Sequence, residues 1–575
     1  MQEGILNIHL VKGPAANDCH GKQATKSSQF CNRGKGFRVV YPFTLGEPFC
    51  NQPRLVSFNG AIGVVFDFIY PFASNRAMTG GKRSDGPVWY WAVWNGHCDE
   101  GVEEKKPVDQ ELREVWELVV KDNCMLLARN ASDHVATKLP PGGSGWPIVG
   151  ETLDFVVNPE KFVRERMKKH SPDIFRTTFF GEKIVIICGP NGHKFLFSNE
   201  DKHFAAYVPK SMQKLFFPGQ DNTDNDLSYQ YKKFRLFSTY ILKPEGLVKY
   251  GAVMDSIIQK QFKTHLEGKA EVKIYPFSKS ITLTLACRFF LGIENPERIA
   301  KLLCQFDKVT NGMHSIPLNF PGTTFYYAIK AAGVIRKEIL DVIAEKRARV
   351  ASGMPTQDIC TTLILAENWS DEAISERLVG LLVAGYSAVA KTITFFMKFA
   401  GERSDVYDKI LSEQLEISKS KKAEDFVCWS DTQKMKYSWA VVCEAMRMVP
   451  PILGTFREAK TDFSYAGFTV PKGWKVFWTV NTTHKNPEYF QEPYKFDPSR
   501  FMEGKGMPQY TFLPFGGGPK MCPGKEYVRF VILAIIHNLV TKYKWEVVDP
   551  NEKVLGSMMP LPEKGLPVRL YPHHV

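Results

Sequence analysis

Phe515-Gly516-Gly517-Gly518-Pro519-Lys520-Met521-Cys522-Pro523-Gly524 is the stretch whose reading decides the fold. One cysteine ends a glycine-rich loop, and Lys525-Glu526-Tyr527-Val528-Arg529-Phe530-Val531-Ile532-Leu533 behind it reads as a helix. Glycines accept φ > 0 and let a backbone pass close to something flat and bulky. A thiolate at a helix N-terminus gains from the dipole and from the free N–H groups there. An iron porphyrin with one axial sulfur asks for this arrangement, because thiolate ligation pushes electron density towards iron and favours O–O cleavage. A glycine turn with an incidental buried cysteine accounts poorly for Phe-x-x-Gly-x-basic-x-Cys-x-Gly kept intact over ten residues. Phe515, Gly518, Lys520 and Gly524 are therefore candidate cofactor contacts, and Cys522 the candidate metal ligand.

Upstream, Glu444-Ala445-Met446-Arg447 falls in a run from Thr432 to Met448 that reads as one helix stopped by Pro450-Pro451. Residues i and i+3 share a helix face, so Glu444 and Arg447 can pair. Glu-x-x-Arg alone is a common solvated pair. Phe496-Asp497-Pro498-Ser499-Arg500-Phe501 adds a second arginine at a suitable distance, and Glu444, Arg447 and Arg500 together make a candidate buried lock behind the cysteine loop.

With these segments in place the chain resembles a cytochrome P-450, a haem-thiolate monooxygenase. It is most similar to the plant group that contains the β-amyrin 28-oxidases and, more distantly, the taxane hydroxylases. The resemblance is carried by Leu139-Pro140-Pro141-Gly142, Gly145-Trp146-Pro147-Ile148-Val149-Gly150-Glu151-Thr152, Phe320-Pro321-Gly322-Thr323 and Ala351-Ser352-Gly353-Met354-Pro355-Thr356-Gln357-Asp358. Lys434-Met435-Lys436-Tyr437-Ser438-Trp439 and Gly565-Leu566-Pro567-Val568-Arg569-Leu570-Tyr571-Pro572 complete it. It implies one mostly helical domain with small β-sheets over residues 139–575, an α+β arrangement with a long central helix. It further implies haem b as cofactor, with Arg457 and Arg235 holding its propionates and Lys520 standing where an arginine is usual. Arginine grips a carboxylate bidentately and lysine offers a point charge, so Lys520 should bind less rigidly. Electrons would come from NADPH through an NADPH-cytochrome P-450 reductase docked on the cysteine side, where Lys520, Lys525 and Arg529 supply positive charge. The implied location is the cytosolic face of the endoplasmic reticulum membrane. The implied co-substrates are O2 and a hydrophobic terpenoid or sterol-like molecule.

The central helix departs from the family pattern. The usual element is an acid followed by a threonine, which carry protons to the oxygen site. Here the aligned residues are Ala384-Gly385-Tyr386-Ser387-Ala388. Gly385 is expected to open a groove for oxygen or water, and Ser387 can hold a water but cannot act as an acid near neutral pH. General acid–base help contributes about 10²–10⁴-fold, so the change bears on hydroxylation and not on haem binding. A degenerate or peroxide-handling haem-thiolate protein is the alternative reading. Val383, Ala384, Ile452-Leu453-Gly454-Thr455 and Met558-Met559-Pro560-Leu561 are expected to line an apolar substrate pocket.

Composition fits a large core: 44% of residues are hydrophobic and 41 are Phe. The net charge of +13 suggests an acidic partner or anionic surface, but no nucleic-acid module is visible. Twelve cysteines follow no zinc spacing, and Cys19-His20 and His97-Cys98 fix no metal geometry. Reduced thiols are the default for a chain facing the cytosol. Residues 1–138 match no recognised pattern. A genuine extension and a misassigned first exon in place of an anchor are both compatible with them. Leu55 to Ala73 is interrupted by Asn59, Asp67 and Pro71 and reads better as a strand or loop than as a span. Periodicity predicts a helix within Glu103–Leu127, a helix over Glu160–His170, a hairpin over Phe175–Cys188 and helices from Leu242 to Lys346. It predicts short strands over Phe463–Val480, and a helix capped by Ser370 running to Phe399.

Overall fold

The computed structural model describes residues 138–573 apart from 147–149, 180, 217–234, 236–241, 314, 316, 355–357, 367–368, 423–424, 503–505 and 556–558, together with the backbone of 54–58 and 61–65. The chain divides into Met1–Glu117 and Leu118–Val575. In the first unit, Arg54–Phe58 and Ala61–Val65 pair as an antiparallel hairpin, so a continuous apolar helix is not formed there. The expected helix within Glu103–Leu127 and both Cys-His pairs lie outside the described residues.

In the second unit, a short helical turn over Thr152–Val157 leads into α1 (Pro159–Lys169). Asn158 caps it by accepting from Lys161 N at 3.0 Å, and Pro159 sits at its first position. The predicted hairpin is β1 (Ile174–Phe179) and β2 (Glu182–Ile187), paired antiparallel. After α2 (Gly189–Ser198) and β3 (Phe204–Ala206) come the long helices α3 (Ile274–Ala286), α4 (Pro296–Met313) and α5 (Thr324–Ala351). The central helix α6 is Asp371–Gly401. Ser370 caps it through Ala373 N at 3.2 Å, with Asp371 and Glu372 in its first turn. Its 31 residues span about 47 Å. By length and composition α6 could cross a membrane, but its most apolar window is 72% buried inside the protein. It is a core helix.

The single helix expected over Thr432–Met448 is two: Trp429–Lys434 and α7 (Lys436–Met448), with Met435 between them at φ −78°, ψ 58°. The break is held by Glu413, whose carboxylate accepts from Tyr437 N at 2.7 Å and Ser438 N at 2.9 Å. These are orphan donors of the first turn of α7, satisfied by a side chain from another helix. Strand β4 (Gly454–Ala459) begins earlier than periodicity indicated, and β5 (Lys475–Thr479) follows. The sheet order is β1-β2-β5-β4-β3, with β2 and β5 parallel and the other pairs antiparallel. The chain then runs through the cysteine loop into α8 (Lys525–Lys542). Leu378, Leu382, Ile393 and Phe396 of α6 share one core with Phe530, Leu533 and Ile536 of α8. A smaller core lies on the sheet, around Phe197 and Trp478.

Candidate haem-thiolate site

Cys522 precedes α8 by two residues, and its N–H donates to Phe515 O at 2.8 Å, closing the loop on itself. The glycines do admit a flat group, but it is a protein side chain. A Cβ on Gly517 or Gly518 would meet the Phe197 side chain at 2.7–2.8 Å, and Gly518 and Gly516 have φ of +64° and +71°. The loop therefore seats on Phe197 of α2, with Phe515 stacked on Trp439 at 6.5 Å. The N–H of Gly524 at the start of α8 does ease the Cys522 thiol, but burial outweighs it. Burial raises the Cys522 thiol above its ordinary value, and the Gly524 N–H and the Arg235 charge oppose this only in part. A metal bound to the sulfur would remove that proton. Arg235 donates to Met521 O, so it braces the loop's backbone.

The lock forms, and extends further than the sequence indicates. Glu444 and Arg447 are both fully buried and meet through two bonds, Nε–Oε2 at 2.7 Å and Nη2–Oε1 at 2.8 Å. Arg447 also donates to the carbonyls of His484, Pro493 and Lys495 at 2.9, 2.7 and 3.3 Å. Glu444 accepts from Asp497 N at 2.9 Å, and Arg500 Nε stands 3.5 Å away at the half-buried edge. Arg500 is thus a looser third member than Arg447. The His484 ring accepts from Leu513 N at 3.0 Å, which ties the lock to the segment entering the cysteine loop. Burial and the Arg447 charge hold His484 well below its usual range, so it stays neutral and able to accept.

Arg457 and Lys520 converge, but on a protein carboxylate that sequence reasoning missed. Glu200, whose side chain is fully buried, pairs with Arg457 Nη2 at 2.7 Å and Lys520 Nζ at 2.8 Å. Asp201 is 3.5 Å from Lys520. Arg457 also donates to Glu200 through Nε at 2.8 Å, and to Thr455 Oγ1 and Phe456 O through Nη1. Counting donors, one N–H of Arg457 and one of Lys520 remain uncommitted among the described residues. Nothing in Asn199-Glu200-Asp201 distinguishes this carboxylate from a surface acid in the sequence. Lys520 is only 9% exposed and already paired, so it presents no charge to a docking partner. Arg529 lies over Trp439 at 5.5 Å, and Lys525 is the half-buried remainder of that trio.

On α6, Ala384 is exposed and Gly380, Val383 and Ala388 are half-buried, while their neighbours on the other faces are buried. The helix therefore borders open space at the stretch read as the oxygen side. Gly385 does not open it: a Cβ there would lie 2.8 Å from the Phe290 ring, so this glycine admits Phe290. Of the expected pocket residues, Ile452 and Thr455 are exposed and Met559 and Leu561 half-buried. Leu453, Gly454 and Pro560 are buried instead, and Met558 lies outside the described residues. Thr455 orients Arg457 and accepts from Trp478 Nε1 at 2.9 Å. Ser387 and, one turn on, Lys391 are buried without a hydrogen-bond partner among the described residues. Lys391 is the one charged residue between Leu378 and Met397 of α6, a signal the sequence itself carries.

A thiol-bearing loop before α8, a buried Glu-x-x-Arg pair behind it and a long core helix bordering open space define the class of haem-thiolate proteins. The profile of the family Cytochrome P450 matches residues 140–568. The chain belongs to the cytochrome P-450 family, and is a haem-dependent monooxygenase. It is 46% identical over 447 residues to beta-amyrin 28-monooxygenase of Medicago truncatula, covering 76% of this chain and 93% of that one. It is 45% identical over 451 residues to beta-amyrin 6-beta-monooxygenase of Solanum lycopersicum, covering 77% and 94%. Among solved structures it is similar to the retinoic-acid-bound cyanobacterial CYP120A1, with a TM-score of 0.67 and 28% identity over 76% of this chain and all of that one. The fold is that of the family. The family's prosthetic group is haem b, with electrons from NADPH delivered through a redox partner. The residues present suit that group: one half-buried thiol at the loop, two cations each with a free N–H, and open space along α6.

Proposed function

We propose that the chain oxidises a terpenoid skeleton, with residues 139–575 as the catalytic domain and 1–138 as an extension. The observation that carries the substrate class is the similarity to enzymes named for β-amyrin oxidation at two different positions. That pair also leaves the oxidised carbon open. Cys522 would supply the sulfur that holds the haem iron, positioned by the Phe515 carbonyl and the seat on Phe197. Arg457 and Lys520 each offer one N–H to a haem carboxylate, with Glu200 holding both cations in place. Haem, when bound, supplies the chemistry that activates O2 and inserts one oxygen atom into substrate. Ile452, Val383 and Ala384 border the space where an apolar skeleton would lie. The redox partner is an NADPH-cytochrome P-450 reductase, and the site of action the cytosolic face of the endoplasmic reticulum membrane.

The test is spectroscopy followed by turnover. Reduced protein with carbon monoxide should show the red-shifted Soret band of thiolate-ligated haem, and Cys522→Ala should lose it. With a plant reductase and NADPH, β-amyrin and related triterpenes should gain one oxygen atom. A normal band in the alanine variant would remove Cys522 as ligand. A normal wild-type band with no terpenoid product would remove the substrate class.

A further inference from the structure

The oxygen side of α6 lacks the acid and threonine of the family, yet it is not bare of proton chemistry. Residues 380, 384, 387, 388 and 391 recur at three- and four-residue intervals and so share one helix face. Gly380, Ala384 and Ala388 are the accessible positions of that face, and Lys391 closes its C-terminal end, fully buried. Ser387 lies four residues before Lys391, within side-chain reach. Neither Ser387 Oγ nor Lys391 Nζ has a hydrogen-bond partner among the described residues. The neighbouring hydroxyls of α6 are satisfied. Thr392 donates to Ala388 O at 3.0 Å, Thr394 to Ala390 O at 2.7 Å, and Tyr386 pairs with Thr310 at 3.0 Å. Buried lysines are rare unless paired, and an unpaired one is costly to fold around. The site has the two properties a relay needs: a proton carrier, and a hydroxyl one turn nearer the open face.

Resting on the haem-thiolate reading above, we propose that Lys391 and Ser387 form the proton relay on the oxygen side of the haem cavity, in place of the missing acid and threonine. Splitting O2 between product and water takes up two electrons and two protons; the electrons come from NADPH through the reductase. The Lys391 ammonium gives a proton to Ser387 Oγ as Ser387 passes its own hydroxyl proton towards the cavity. Serine ends unchanged and lysine ends as the neutral amine, to be reprotonated from solvent. Burial brings the lysine down to about 7, and the Lys279 charge on α3 pushes the same way, so both protonation states are populated near neutral pH. Lys279 is itself paired with Asp307 of α4 at 2.7 Å. The buried charges of α7, Glu444 and Arg447, neutralise each other. Arg529 of α8 lies over Trp439. The Tyr386 hydroxyl of α6 is bound to Thr310. No carboxylate is hydrogen-bonded or ion-paired to Lys391 among the described residues.

The experiment compares wild type with Lys391→Met, Lys391→Arg and Ser387→Ala as haem-loaded proteins with a matched reductase. Two readouts are taken: product formed per NADPH consumed, and the infrared C–O stretch of the reduced carbon monoxide complex from pH 6 to 8. The stretch needs no turnover and responds to charge beside the bound gas. Wild type should show two stretches that interchange around neutral pH. Lys391→Met should show one pH-independent stretch and lose about tenfold or more in product per NADPH. Lys391→Arg, charged but unable to release its proton, should also uncouple. Ser387→Ala should uncouple while keeping the pH-dependent stretch. Removing an unpaired buried charge should raise the melting temperature, so a failure of Lys391→Met to fold is itself evidence against this placement of the lysine. Coupling retained in Lys391→Met overturns the proposal, whether or not the stretch moves. A wild type without the red-shifted Soret band overturns the haem-thiolate reading beneath it, which is a different failure.

Discussion

Replacing Glu444 by alanine isolates what the lock contributes. Glu444 meets Arg447 through two bonds, at 2.7 and 2.8 Å, and both residues are fully buried. Without the carboxylate, Arg447 keeps three backbone carbonyls, but its charge has no counter-ion, and Asp497 N loses its acceptor. Removing one partner of a buried pair typically costs about 3–5 kcal/mol. A domain of about 430 residues has an unfolding entropy of roughly 0.9 kcal/mol/K at ordinary values per residue, so the melting temperature should fall by about 3–6 °C. The damage should not stay local. Arg447 fixes the His484 carbonyl, and the His484 ring fixes Leu513, two residues before Phe515. Haem occupancy should therefore fall together with stability. Differential scanning fluorimetry, with haem content by pyridine haemochromogen, measures both. Glu444→Ala purified with full haem and unchanged melting would show that the pair carries no strain into the cysteine loop. The fall should be smaller in Arg500→Ala, since that contact is 3.5 Å long and half-exposed.

Glu200→Gln removes the carboxylate shared by Arg457 and Lys520, and should lower the melting temperature of haem-free protein more than that of holoprotein, where haem carboxylates can replace it; equal losses would place the propionates elsewhere. Burial depresses His193 and His537 to about 4, and burial with the Arg447 charge holds His484 well below its usual range, against about 6.5 in an unfolded chain. As pH falls from 6.5 towards 4 the unfolded chain takes up protons that the native state refuses, so stability present above 6.5 should be lost across that window. A melting temperature flat from pH 7.5 to 4.5 would contradict this. A chain starting at Lys138 retains the bonds Thr469 N–Lys138 O and Arg176 N–Pro141 O, and should bind haem with the same carbon monoxide spectrum; loss of the spectrum would refute the extension as dispensable.

What the sequence made legible has local causes. Ser370, Asp371 and the apolar run behind them define α6, because caps and periodicity act within a few residues. The Cys522 loop and the Glu444–Arg447 pair are equally local, at spacings of a few residues. What it hid depends on contacts between distant segments. Glu200 joins the site only because β3 and β4 pair, setting it beside Arg457 some 250 residues on. The break at Met435 depends on Glu413, a side chain of another helix. The loop glycines suggest room for a cofactor, whereas Phe197 of α2 occupies that approach, a contact set by a segment more than 300 residues away. Lys391 was visible in the sequence, but only burial without a partner separates it from a lysine that reaches solvent.

The two sides of the site stand on different supports, and this has a consequence for variants. The sulfur side is held by α7, the His484 segment, β4 and the loop on Phe197, all closed by hydrogen bonds and ion pairs. The oxygen side is one face of α6, with two polar atoms left unpartnered among the described residues. Changes at Glu444, Arg457 or Glu200 should therefore move haem retention and stability together. Changes at Ser387 or Lys391 should leave the cysteine loop's contacts and haem retention intact and move the fate of electrons from NADPH, with stability rising where the buried charge is removed or paired. Ser387→Asp with Ala388→Thr, which restores the family's pair, places a carboxylate one turn from Lys391, where the two would form an ion pair. That pairing raises the lysine out of the neutral range, so the double variant should gain stability. If the lysine is the relay, the variant should gain less in coupling than the same two residues would give beside an alanine at 391. Measuring the double variant with and without Lys391→Ala decides it: a coupling gain of equal size in both backgrounds would show that the lysine never carried the proton.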